Sequence, residues 1–167
     1  TFGKAIMNMI PIRRGQIIFD GEDITTLSTS QLAHRGISIM QQGGKVFPNL
    51  SVWDNLQLAG GNSSLFTLHT SLREIIPLLQ QPKKGLQHLM ADKLSGGQKH
   101  QLSLAITLAT NPRLVILDEP SAGLSPKAVE EMYQMLRSVK EQFDVTIILI
   151  EQNIAKAVDF CNRNLII

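Results

Sequence analysis

The sequence predicts an α/β domain with a mostly parallel, buried sheet and a helical insertion. Short runs rich in β-branched residues alternate with longer segments of helical periodicity, which is the pattern of βαβ units. The runs are apolar enough for strands that are covered on both faces. A length of 167 residues with 43% hydrophobic content suits one domain with one core.

Four strands and two long helices are predicted. The strands are residues 16–19, 37–40, 114–117 and 145–150. One helix is predicted over 95–110, where Leu102, Ala105, Ile106 and Ala109 recur at helical spacing. Another is predicted from Pro126 to Val139, with Ser125 as its N-cap.

The segment 56–92 differs in character from the rest of the chain. It predicts a loop at 60–64, a helix at 72–79 despite Pro77, and a break at 82–85. We interpret it as a small helical insertion and assign residues 56–110 to a helical subdomain, within a partial domain that spans 1–167. The apolar runs are far shorter than the roughly 20 residues of a membrane-spanning helix. We expect the protein to serve a membrane only by docking onto another chain.

Composition excludes several other kinds of site. The 16 lysines and arginines against 14 aspartates and glutamates leave a net charge of +2, which predicts no nucleic-acid partner. The one cysteine, Cys161, allows no internal disulfide, and we expect it to be buried. We expect Trp53 to pack against the core. The histidines show no metal-ligand spacing and are expected on the surface or on helix flanks: His34, His69, His88 and His100.

The sharpest motif is Leu94-Ser95-Gly96-Gly97-Gln98 at the start of a predicted helix. Two glycines allow a ligand to approach the backbone closely, and Ser95 with the free N–H groups of the first turn can bind anionic oxygens. The alternative is an ordinary serine N-cap followed by a glycine-rich turn.

A second motif follows the strand 114–117. Asp118 ends this strand, and Glu119 and Pro120 come next. A carboxylate at the tip of a buried parallel strand can hold a magnesium ion that bridges nucleotide phosphates, and its neighbour can polarise an attacking water. The alternative is a solvated turn. The two motifs in this order favour a nucleotide site over both alternatives.

Together these motifs resemble those of the ABC (ATP-binding cassette) ATPases, and the resemblance covers the whole chain. It implies a P-loop NTPase-like fold in which two subunits enclose ATP. In that reading the signature that closes on the nucleotide of the second subunit is Ser95, Gly96, Gly97 and Gln98. Asp118 is then the magnesium residue and Glu119 the general base.

The resemblance assigns two further loops. The D-loop, which lies across the dimer interface, would be Ser121, Ala122, Gly123 and Leu124. Gln42 matches the Q-loop glutamine, which approaches magnesium and the attacking water, although alone it would be read as a polar loop residue. The segment 42–52 would face the membrane permease subunits.

Two departures from the family pattern stand out. The switch position, usually histidine, is occupied by Gln152, whose neutral amide can bond a phosphate or a water but cannot carry positive charge. This glutamine, Phe47-Pro48 and the run from Ser121 to Pro126 resemble the branched-chain amino-acid and urea importer branch.

The second departure is that no Gly-x-x-x-x-Gly-Lys-Ser/Thr loop occurs in the sequence. Thr1 resembles the residue that follows this loop, and Leu165 to Ile167 read as a further strand. We therefore expect a fragment that lacks the N-terminal strands and the P-loop, is truncated at both ends, and alone is inactive. Lys4 lacks the preceding glycines and is not the P-loop lysine.

The resemblance implies an ATP-hydrolysing subunit of an importer, with ATP and Mg²⁺ as cofactors. The implied partners are a second ATPase subunit, identical or different, the permease subunits, and indirectly a periplasmic or extracellular solute-binding protein. The expected location is the cytoplasmic face of the cell membrane. Two alternatives stay open: a soluble ABC ATPase of the translation or DNA-repair type, and a truncated, non-catalytic remnant.

Overall fold

The computed structural model describes residues 2–60 and 72–166. The strands in chain order are β1 (Ile18–Phe19), β2 (Glu22–Asp23), β3 (Ile37–Met40), β4 (Leu114–Asp118) and β5 (Thr146–Ile150). The helices are α1 (Phe2–Ile6), α2 (Thr29–His34), α3 (Val52–Gly60), α4 (Lys83–His88), α5 (Gly96–Leu108), α6 (Pro126–Gln142) and α7 (Ile154–Phe160). There are also two short 3₁₀ helices, Pro77–Gln80 and Ala91–Lys93, and residues 72–75 are helical.

A three-stranded parallel sheet in the order β3-β4-β5 organises the chain. The central strand β4 is buried along its whole length, and its side chains alternate between two clusters. Val115 and Leu117 belong to the larger cluster, whereas Leu114 and Ile116 belong to the smaller one. Both faces of the sheet are therefore covered, and the prediction of a buried parallel sheet is confirmed.

Helix α1 approaches the sheet closely because one of its two buried residues, Gly3, is a glycine. A Cβ atom at Gly3 would lie 2.9 Å from Ile116, 3.1 Å from Ile150 and 3.3 Å from Ile39, one residue from each strand. No side chain larger than hydrogen fits there without displacing the isoleucines. Gly3 thus sets the distance between this helix and the sheet.

Most of the chain between β3 and β4 is helical where it is described. Residues 72–75 are helical, but the helix predicted over 72–79 stops before Pro77, where a 3₁₀ turn begins. Proline ends it because it lacks an N–H group and crowds the preceding turn. Of the loop predicted at 60–64, Gly60 is instead the last residue of α3, and 61–64 lie outside the described residues.

Two predicted strands of the main sheet take other forms. Ile18–Phe19 pairs antiparallel with Glu22–Asp23 in a separate two-stranded sheet. Asp20 (φ +55°) and Gly21 (φ +80°) form the connecting turn, and both have the positive φ of a tight hairpin. The turn brings β2 beside β1, so β1 pairs with a strand close in sequence instead of with the main sheet. Leu165 and Ile166 are exposed and form no strand, and Ile167 lies outside the described residues.

No described helix combines the length and the apolar character needed to cross a membrane.

Candidate functional site

The carboxyl ends of the three parallel strands bring four predicted site residues to one edge of the sheet. Gln42 follows β3, Asp118 and Glu119 stand at the end of β4, and Gln152 follows β5. Strand pairing aligns Asp118 with Ile150, so the loops after β4 and β5 start side by side. Ligands of open α/β sheets bind at this edge. We call these four residues the carboxylate cluster.

Glu119 is held by an amide on each side. The Nε2 atom of Gln42 donates to Glu119 Oε2 at 2.6 Å, and the Nε2 atom of Gln152 donates to Oε1 at 2.7 Å. An ionised carboxylate only accepts hydrogen bonds, so both glutamines present their NH₂ groups to it. Their carbonyl oxygens are thereby left for other partners. Charge-assisted bonds of this kind fix the plane of the carboxylate.

The backbone of Glu119 is strained. Its φ is +51°, a left-handed conformation that costs a residue with a side chain about 1 kcal/mol or more. Its N–H donates to Ile150 O at 2.8 Å, and its own carbonyl accepts from Ala122 N at 3.1 Å. These bonds hold the conformation between β5 and the loop that follows. Strain that neighbouring structure enforces is typical of functional positions.

Asp118 is the most buried acidic residue of the cluster, with 7% of its surface exposed. Among the described residues, no group of three or more His, Cys, Asp or Glu could hold a metal by itself. A magnesium ion that bridges phosphates needs only one or two protein ligands and keeps its waters. The Asp118 carboxylate and the carbonyl oxygen of Gln42 are oxygen donors of the kind that such an ion takes.

The signature residues begin α5, and the N-cap interpretation of Ser95 is confirmed. Ser95 Oγ accepts from Gln98 N at 3.3 Å, while Gln98 Oε1 accepts from Ser95 N at 3.0 Å. This reciprocal capping box stabilises the first turn. It uses the Ser95 oxygen as an acceptor and leaves the hydroxyl hydrogen for a ligand. Capping and anion binding are therefore compatible here.

No steric constraint within the described chain requires glycine at the two predicted signature positions, Gly96 and Gly97. A Cβ atom at Gly96 would meet nothing within 4 Å, and one at Gly97 would only touch Ala128 at 3.7 Å. Neither has a positive φ. Both glycines lie in the first turn of the helix, and glycine loses more backbone freedom on folding than alanine does. Glycine at these positions would allow a ligand to approach the backbone closely.

An open cleft of about 630 Å³ lies beside these glycines. Ser95, Gly96, Gly97 and Gln98 line one side, and Gly123 and Leu124 of the predicted D-loop line another together with the following Ser125. We call it the signature cleft. At its base Ser125 caps α6 as predicted, its Oγ accepting from Ala128 N at 3.4 Å. The first D-loop residue, Ser121, points elsewhere and bonds Glu151 Oε2 at 2.7 Å.

The sequence did not indicate the contacts of two residues of this region. His100 was expected on the surface or on a helix flank; it lies in α5 and is buried, and its Nδ1 bonds Gly96 O at 2.9 Å. A Cβ at Gly44 would lie 3.0 Å from the His100 backbone N, so the Q-loop packs directly on α5. No role was predicted for Glu151 from the sequence. His34 and His88 are exposed as predicted, and His69 lies outside the described residues.

Trp53 is partly buried and packs against the larger core cluster, as predicted. Cys161 is a free thiol of intermediate exposure rather than a fully buried one, and burial raises its pKa.

Comparison with known proteins identifies similar sequences throughout the chain. The sequence profile of the family described as ABC transporter matches residues 1–122. The high-affinity branched-chain amino acid transport ATP-binding protein BraG of Pseudomonas aeruginosa is 28% identical over 89% of this chain and 63% of its own length. The probable branched-chain amino acid transport ATP-binding protein LivF of Archaeoglobus fulgidus is 28% identical over 98% and 69%. The chain thus spans about two thirds of these relatives.

Solved structures share the fold. A nucleotide-free ATP-binding cassette from an ABC transporter superposes with a TM-score of 0.75 at 23% identity, covering 95% of this chain and 68% of its own. A dimeric ATP-binding cassette in a post-hydrolysis state, bound to ADP and Pi, gives 0.73 at 21%, covering 93% and 70%. The predicted α/β fold class, that of P-loop NTPase-like ABC ATPase domains, is confirmed.

Proposed function

The chain belongs to the ABC transporter family of ATP-binding domains, and from this premise we propose that it is part of a subunit that hydrolyses ATP to drive transport across a membrane. The observation that carries the proposal is the oriented carboxylate of Glu119, which two amides hold at the carboxyl edge of the parallel sheet. A carboxylate fixed in this way can accept a proton from an attacking water. In this proposal Glu119 is the general base.

The neighbouring residues have distinct roles in the proposed reaction. Asp118 and Gln42 would hold Mg²⁺, which when bound neutralises charge on phosphate oxygens. Gln42 and Gln152 orient Glu119 through their NH₂ groups and leave their carbonyl oxygens to accept from the water. Gln152 takes the switch position without a positive charge. It therefore positions the water and the base rather than neutralising phosphate.

The signature cleft supports a dimer as the working unit. Ser95, Gly96 and Gly97 line a cleft that neither Asp118 nor Glu119 lines, although the carboxylate of Glu131 does. An anion bound at the glycines would be held by a helix N-terminus and a hydroxyl, apart from the proposed base Glu119. We propose that this anion is the phosphate of ATP bound to the carboxylate cluster of a second subunit, and that the D-loop 121–124 crosses the interface. One of the similar solved structures is a dimer.

The segment 42–52 offers an anchor for a permease subunit. Phe47 is 59% exposed, yet its backbone is fixed by the buried Asn55. Asn55 Oδ1 accepts from Phe47 N at 2.8 Å, and Asn55 Nδ2 donates to Phe47 O at 3.0 Å. An aromatic side chain presented to solvent on a rigid loop is typical of an interface hot spot. The helical subdomain proposed at 56–110 would carry the signature beside this surface.

We propose import of branched-chain amino acids or another small polar solute as the transport function. Two similar proteins are named for branched-chain amino acid transport. Others of comparable identity are named for lipopolysaccharide export and for methionine or spermidine/putrescine import. A periplasmic or extracellular solute-binding protein would then act indirectly, through the permease, while the ATPase subunit lies on the cytoplasmic face of the membrane.

The test of the proposed function compares this chain with an extended chain, in which a Gly-x-x-x-x-Gly-Lys-Ser loop precedes Thr1. We expect the chain itself to bind Mg-ATP weakly, since charge-assisted phosphate contacts contribute about 1.5–3 kcal/mol each and the loop supplies several. The extended chain should bind and hydrolyse ATP. Absence of hydrolysis in a folded extended chain that binds ATP would support a non-catalytic remnant instead.

A further inference from the structure

Glu151 joins the D-loop 121–124 to the switch loop 151–153. Its Oε2 atom accepts from Ser121 Oγ at 2.7 Å, across 30 positions of sequence. Its Oε1 atom accepts from the backbone N–H groups of Gln152 at 2.9 Å and Asn153 at 3.3 Å. One carboxylate therefore fixes both the D-loop serine and the turn from which Gln152 extends.

The surroundings of Glu151 limit its freedom to move. Glu151 is half-buried, and Tyr133 of α6 is fully buried nearby. Burial, and after it the charge of Glu151, raises the pKa of the Tyr133 phenol. On the other side, Asn153 caps α7 by accepting from Lys156 N at 3.3 Å. The switch loop is thus anchored at both of its ends.

A continuous chain of hydrogen bonds leads from Ser121 to the carboxylate cluster. It runs from Ser121 to the Glu151 side chain, then to the Gln152 backbone, and from the Gln152 amide to Glu119 at 2.7 Å. Because the backbone of Gln152 is bonded to Glu151, displacement of Ser121 changes the turn that presents this amide. This path through the side chains adds to the direct backbone contact, in which Ala122 N of the D-loop donates to Glu119 O at 3.1 Å.

We propose that Glu151 is a positioning residue that makes the orientation of Glu119 depend on the position of the D-loop. The inference rests on the proposed function, in which a second subunit contacts this loop. A subunit that binds against residues 121–124 would fix the position of Ser121. Through Glu151 and Gln152 it would also fix the orientation of the Glu119 carboxylate.

The first test is made on the chain itself, without nucleotide. The side-chain amide signal of Gln152 is assigned in a ¹⁵N spectrum by its loss in Gln152→Ala. Ser121→Ala should shift this signal and increase its solvent exchange. Ser125→Ala is the matched control, because it removes a serine of the same loop that caps α6 and has no bond to Glu151. An unchanged Gln152 signal in folded Ser121→Ala would overturn the proposal.

The second test uses the extended chain. Ser121→Ala and Glu151→Gln should each lower kcat about tenfold with little change in KM, as expected for a misoriented base. Ser121→Thr, which keeps the hydroxyl, should restore turnover. A normal kcat in Ser121→Ala would refute the positioning role. If the unsubstituted extended chain hydrolyses no ATP, the proposed function fails, while the Gln152 signal still decides whether the coupling exists.

Discussion

The carboxylate cluster and the signature cleft are joined by one short loop, but they are built differently. In the cluster, the Glu119 carboxylate has partners within the chain, namely the amides of Gln42 and Gln152. In the cleft, the N–H groups of Gly96 and Gly97 make no hydrogen bond to a described residue. The described residues leave room for a Cβ atom at both positions, so packing does not require glycine there. The difference indicates that the cluster is assembled in advance, whereas the cleft is completed by what binds it.

Breaking the cluster should have the largest effect. In the extended chain, Glu119→Gln should slow ATP hydrolysis about 10²–10⁴-fold while ATP affinity is retained, because the base is lost and the phosphate contacts are not. The new amide also cannot accept from both glutamines, so Gln42 or Gln152 must turn. Steady-state turnover and nucleotide titration on the same sample measure this. An unchanged turnover rate would assign the base to another residue.

Placing a negative charge in the signature cleft should abolish ATP hydrolysis without removing the base. Ser95→Ala combined with Gly97→Asp places a carboxylate where an anion is expected, so turnover in the extended chain should fall at least about 10²-fold by charge repulsion. ATP binding by a single subunit should be nearly unchanged. Ser95→Ala alone is the control, since loss of the cap costs about 1 kcal/mol in stability. Full turnover in the double variant would leave Ser95 to Gln98 as a capped turn only.

The packing of the loop that follows Gln42 against helix α5 can be tested by substitution of Gly44. Its φ of +59° disfavours any side chain, and a Cβ would lie 3.0 Å from the backbone N of His100. Gly44→Ala should therefore lower the free energy of unfolding by about 1–3 kcal/mol. Gly43→Ala is the matched control, because Gly43 also has a positive φ but has open space around it. Chemical denaturation of both variants should show the larger loss at Gly44.

The smallest effect is expected for a substitution of Gly96, which separates the stability of the signature cleft from its proposed ligand binding. Gly96→Ala should raise the free energy of unfolding by about 0.5–1 kcal/mol, because alanine favours the helix and its Cβ meets nothing. The same change should lower turnover in the extended chain, since the methyl group stands where a ligand would approach. Gain of stability with loss of activity is the expected pair. A more stable variant with full turnover would contradict a ligand at this glycine.

The sheet and the two carboxylates of the cluster were predictable from local patterns in the sequence, whereas Gln42 and Gln152 were assigned from the family resemblance. A buried apolar run followed by Asp118 and Glu119 defines both a strand and its carboxyl end. Gln42 and Gln152 come shortly after β3 and β5, so parallel pairing brings them to the same edge. Alignment of strand ends is a property of the fold class and needs no knowledge of side-chain contacts.

Features that depend on tertiary packing were not predictable. Nothing in the spacing of His100 separates an exposed histidine of a helix from one buried under Gly44. The bond between Ser121 and Glu151 joins two loops whose side-chain directions no periodicity specifies. The strand at 16–19 was placed in the wrong sheet because its apolar pattern fits either, while the Asp20-Gly21 turn signal decides for the hairpin.

The position of β4 bears on how the site would open. This strand is paired along both edges and covered on both faces, so its amides should be among the last to exchange with deuterium. The side chains of Gln42 and Gln152 are exposed on loops, so we expect them to become mobile before β4 opens. During partial opening, the two amides would leave Glu119 while Asp118 stayed in place. The site would then lose its alignment well before it lost its negative charge.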